Sequence, residues 1–81
     1  MKIDIDFLAV SSRFFQIAGR VGFFSVELAG PDYCNLVHHL ANGMRPATNM
    51  RRGDLDSYLS RELTAGRISW LSPVEVIDLL K

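Results

Sequence analysis

The residues whose types and spacing come closest to chemistry are Cys34 and His38. On a helix, residues four apart share a face, so a thiolate and an imidazole would stand side by side as two zinc ligands. Zinc takes three or four protein ligands, and His39 would point roughly 100° away around the same helix. The pair therefore falls short of a site. It reads as a small apolar cysteine beside a partly exposed histidine, and neither a metal nor another cofactor is expected.

Serines, histidines and aspartates are present, but no nucleophile elbow, paired-histidine metal helix or glycine-rich phosphate loop joins them. Ser11 and Ser12 read as the polar face of a first helix. With 81 residues the chain has little room for a catalytic pocket on the order of several hundred Å³. A non-enzymatic protein is expected.

Positive charge concentrates in MRPATNMRR, where Arg45, Arg51 and Arg52 stand with no acidic residue among them. A basic loop ahead of a helix amino terminus is able to hold phosphate. Asp54 and Asp56 follow at once and offset it, so a solvated loop paired with those aspartates is the favoured reading, with nucleic-acid contact behind it. A helix-turn-helix is disfavoured, because its turn takes about three or four residues and this connection about ten.

The composition supports a folded chain: hydrophobic residues make up 48% and charged residues 22%. Nine basic and nine acidic residues cancel, which removes the bulk attraction that nonspecific nucleic-acid and acidic-membrane binders use. The single cysteine excludes an intramolecular disulfide and points to a reducing, cytoplasmic setting. MKIDIDF lacks the pattern of a signal peptide, and no apolar run approaches the roughly 20 residues of a membrane span. One domain over residues 1–81 is expected.

To position these groups, the hydrophobic pattern supplies mostly helices. Ile3, Phe7, Val10, Phe14, Ile17 and Val21 recur at helical spacing and predict a helix over about 3–19. Ile3, Ile5 and Phe7 also alternate with Asp4 and Asp6, the period of a half-buried strand. Tyr33, Leu36, Val37 and Leu40 predict a helix over 32–42 closed by Asn42-Gly43. Leu55, Tyr58, Leu59 and Leu63 predict another over 54–65, capped by Asp54, with residues 42–53 a loop before it. Ser72 and Glu75 form a capping box with Pro73 at the first helical position, which predicts a helix over 73–80. The expectation is a mainly α single domain of about four helices, with short strands near 3–7, 23–28 and 67–71, and α+β as the alternative.

The last helix carries Val74, Val76, Ile77, Leu79 and Leu80, more apolar side chains than one face holds. Val76 and Leu79 are the candidates for its outward side, and Trp70 for an anchor beside it. The expected function is a small protein-binding module, a regulator or inhibitor of phage or mobile-element type that covers a surface of a larger partner. Alternatives are a nucleic-acid-associated regulator using Arg45, Arg51 and Arg52, and a structural assembly subunit. A protein partner is expected, a homo-oligomer is compatible with the same surface, and no membrane is involved.

Overall fold

The computed structural model describes residues 4–11 and 13–79. Its elements run α1 (Ile5–Val10), β1 (Phe15–Ile17), β2 (Phe23–Leu28), β3 (Tyr33–His39), β4 (Ala47–Arg51), α2 (Arg52–Thr64), β5 (Ile68–Trp70) and α3 (Pro73–Leu79). The strands form one five-stranded antiparallel sheet in the order β4-β3-β2-β1-β5. β1 to β4 form a meander, and α2 then carries the chain from one sheet edge to the other, where β5 pairs with β1. The expected mainly α fold of about four helices is corrected to a sheet-rich α+β fold with three helices among the described residues.

The correction turns on β3. Tyr33 to Leu40 satisfies a helical spacing, yet the same residues alternate: Cys34 and Leu36 join the main core, while Val37 lies opposite Ser25 on the other face. Both faces of the sheet carry buried side chains here, and a strand paired on both edges serves two faces where a helix would serve one. Asn42-Gly43 ends not a helix but β3 itself. Gly43 sits at φ 84°, and the turn is closed by bonds from Gly43 N–H to Leu40 O at 3.1 Å and from Leu40 N–H to Met44 O at 3.0 Å. Asparagine and glycine tolerate positive φ in a hairpin as readily as at a helix end.

β4 lies inside the segment expected to be loop. It is an edge strand of almost wholly exposed residues, so its sequence needs no apolar alternation. Only Met50 packs against the core. The first helix is shorter than its stripe: α1 begins after Asp4, whose carboxylate accepts from Phe7 N–H at 3.1 Å, and ends at Ser11. It buries Ile5 and Leu8, leaving the stripe residues Phe7 and Val10 exposed. Ile5 to Phe7 are helical, so the strand near 3–7 does not form there, and residue 3 lies outside the described residues.

α1 and α2 cover one face of the sheet over Phe15, Ile17, Phe24, Val26, Cys34 and Leu36, into which α2 inserts Leu55 and Leu59. Each such side chain removed from water contributes about 1.5 to 3 kcal/mol. On the opposite face, α3 packs over Phe23 through Leu71 and Val76, with Phe14 beside them. This second, smaller cluster positions the candidate site.

Candidate functional site

β5 ends at Trp70, and Leu71 N–H donates to Phe14 O at 3.0 Å, so the chain leaves the sheet edge close to Phe14. The capping box forms as its residues imply. Ser72 Oγ accepts from Glu75 N–H at 3.2 Å, and Glu75 Oε1 accepts from Ser72 N–H at 3.1 Å. That geometry fixes where α3 starts and therefore which of its residues meet the sheet.

Val76 is the residue that points inward. It is 8% exposed and packs with Phe23 and Leu71, which corrects the expectation that it faces outward. Val74 and Ile77, at 67% and 58%, form the outward apolar side, with Leu79 partly exposed beside them. An inward residue every three to four positions leaves its immediate neighbours outside.

Trp70 is 37% exposed. Its indole meets Phe15 edge-on with centroids 5.8 Å apart, and the Arg13 guanidinium lies 5.5 Å from its ring centroid. A groove of about 670 Å³ runs between this stacked pair and α3, lined by Arg13, Phe14, Trp70, Pro73, Val76 and Ile77. Its lining is mainly apolar, with Arg13 and Glu75 as its charged members. Glu75 is already engaged by Ser72, whereas Arg13 has no carboxylate partner among the described residues.

The three arginines of the basic segment do not converge. Arg45 lies in the β3–β4 turn, and Arg51 ends β4 opposite Tyr33. β4 separates them by roughly 15 Å of extended chain. Arg52 opens α2 and is spent on structure: its guanidinium pairs with Asp6 of α1, and its Nη1 donates to Pro31 O at 3.3 Å. Cys34 and His38 share a face, but on a strand four residues span on the order of 13 Å, so they cannot ligate one ion together. No group of three or more histidine, cysteine, aspartate or glutamate side chains able to hold a metal occurs among the described residues.

A second cluster, centred on His39, escapes a reading from sequence. Phe23 lies opposite His39 in the β2–β3 ladder and stacks on its imidazole, with centroids 4.8 Å apart and planes 5° from parallel. Phe14 meets the ring edge-on at 5.5 Å, and Ser25 Oγ lies 2.8 Å from Nε2. Burial holds the imidazole below the ordinary histidine pKa; Arg45 and His38 push the same way, and Glu27 opposes them. The signal that could have found it is the Gly30-Pro31 turn, which joins β2 to β3 and brings His39 back opposite Phe23 and near Ser25.

No helix among the described residues is long and apolar enough to cross a membrane. No family model, curated protein or solved structure matches the chain, so neither regulation nor inhibition gains support from a relative.

Proposed function

We propose that this chain is a non-enzymatic protein-binding module whose docking surface is the groove between Trp70 and α3. The observation that carries the reading is the half-exposed, Arg13-stacked Trp70 facing a helix whose outward side is Val74 and Ile77. Tryptophan and arginine are the residues most enriched among interface hot spots, and an apolar patch with a polar rim is the usual anatomy of a docking surface. The occupant is an apolar segment of a partner protein carrying a carboxylate, which would meet Arg13, a guanidinium with no carboxylate partner among the described residues. A reducing, cytoplasmic setting belongs to the same proposal and fits the buried free thiol of Cys34.

Nucleic-acid contact through the basic segment has less behind it, since Arg52 is tied to Asp6 and the chain has zero formal net charge. The test compares proteins retained from a lysate by the wild type, Trp70→Ala and Ile77→Asp, each first shown to keep its melting temperature. A protein retained by the wild type and lost by both variants supports the reading. A retained set that both variants hold equally well overturns it. Retention of nucleic acid that falls steeply with salt and with Arg45→Ala would favour the nucleic-acid alternative.

A further inference from the structure

On the far side of Phe14 and Val76 from the groove lies a second pocket, of about 260 Å³. Rings and aliphatic groups from Phe14, Phe23, Leu40 and Val76 line it, together with His39 and Arg45. These two supply the polar atoms that point to a ligand class.

The state of His39 follows from its neighbours. Ser25 is buried, and its hydroxyl has no acceptor among the described residues other than His39 Nε2. With the Ser25 O–H donating to Nε2, one of the two arrangements this contact admits, the proton of the neutral ring stands on Nδ1. No buried side-chain nitrogen or oxygen lacks a partner among the described residues, and Nδ1 makes no hydrogen bond of its own, so it is open to solvent. Arg45, close enough to act on this imidazole, has no carboxylate partner among the described residues. An N–H donor and an unpaired guanidinium thus accompany an apolar, ring-lined space.

We propose that this pocket binds a small apolar monocarboxylate, with its carboxylate between Arg45 and His39 Nδ1–H and its ring or chain against Phe14, Phe23 and Val76. A guanidinium presents a planar pair of donors that matches a carboxylate, and a single cation beside a neutral imidazole suits one negative charge. The volume lies just below the roughly 300 Å³ at which drug-sized pockets begin, which limits the ligand to about ten heavy atoms. The site is separate from the groove assigned to a protein partner, so either assignment stands if the other fails.

The test is a titration of the full chain with benzoate, followed by amide chemical shifts, with acetate and benzyl alcohol as probes lacking the apolar ring and the charge respectively. Benzoate is expected to bind saturably with a dissociation constant on the order of 1 mM, moving Phe23, His39 and Leu40. Acetate and benzyl alcohol should each bind at least about tenfold more weakly, as should benzoate to Arg45→Gln, a difference of about 1.4 kcal/mol. Arg51→Gln, which alters an exposed arginine at the other end of β4, should bind as the wild type does. Absence of saturable binding, unchanged affinity in Arg45→Gln, or shifts confined to Trp70 and Ile77 would overturn the proposal.

Discussion

Arg52 and Asp6, 46 positions apart in the chain, form an ion pair that joins the start of α2 to α1. The same arginine donates through its backbone N–H to Asp32 O at 3.0 Å, so it also holds the β2–β3 turn. A residue that reads as part of a basic loop is therefore a clasp between three parts of the fold. The positive charge left for any partner is reduced by the same contact.

Arg52→Ala should destabilise the fold by about 1 kcal/mol, the scale of a part-exposed ion pair with one accompanying hydrogen bond. Arg45→Ala and Arg51→Ala should each stay within about 0.5 kcal/mol of the wild type, because neither has an ion-pair partner among the described residues. Urea unfolding of the three variants measures the difference. Equal effects at all three positions would contradict the assignment of Arg52 to the scaffold.

Within α2, Leu59 is fully buried in the main cluster and Leu63 is packed at its margin. Leu59→Ala should cost about 2 to 5 kcal/mol, the range for truncating a core leucine without collapse of the cavity. Leu63→Ala should cost distinctly less, since part of its surface already meets water. Denaturant midpoints compared at a common slope decide the order, and a larger loss at Leu63 would show that the helix is rotated from its described position.

The elements legible in the sequence were those whose local signals had one structural meaning. Leu55, Tyr58, Leu59 and Leu63, at spacings of three, one and four, fit one face of a helix and break the alternation of a strand, and Ser72, Pro73 and Glu75 together specify a helix start. The alternation from Phe23 to Leu28 likewise matches β2. Where a signal had two meanings, tertiary context chose between them. Asn42-Gly43 suits a helix end or a hairpin, and Tyr33 to Leu40 fits either period. Cys34 and Leu36 are held by a core that Leu55 and Leu59 of α2 complete, far away in sequence. β4 was illegible because an exposed edge strand is held by ladder hydrogen bonds to β3 rather than by its own side chains. At the site, Trp70 was readable as an anchor by type, whereas His39 and Ser25 became neighbours only once β2 and β3 paired.

Stability should depend on pH through His39. Its folded pKa is lowered below the ordinary 6.5, first by burial, then by Arg45 and His38 against Glu27. Between the folded and unfolded values the unfolded chain binds the extra proton. The contribution is thus full above 6.5 and is lost as pH falls through the folded value. Urea midpoints measured from about pH 7.5 to about pH 5 should fall in the wild type and flatten in His39→Gln. A variant that keeps the wild-type slope would show that another group carries it.

The final prediction concerns α3, which has seven residues and buries Val76 as its one core side chain. Helices shorter than about 12 to 15 residues are marginal alone, so α3 depends on the small cluster with Phe23, Leu71 and Phe14 and on its capping box. Its amides should exchange with solvent faster than those of α2, whose Leu55 and Leu59 anchor it to the main core. Ser72→Ala removes the acceptor of Glu75 N–H and should weaken α3 by about 0.5 to 2 kcal/mol, accelerating its exchange roughly 2- to 30-fold. Exchange in α2 should not change. Opening α3 withdraws Val76, which walls both the Trp70 groove and the Arg45 pocket, so the two sites would be remade by one motion. If α3 instead exchanges at the rate of α2 in both proteins, it opens only with global unfolding, and the two surfaces are rigid parts of one fold.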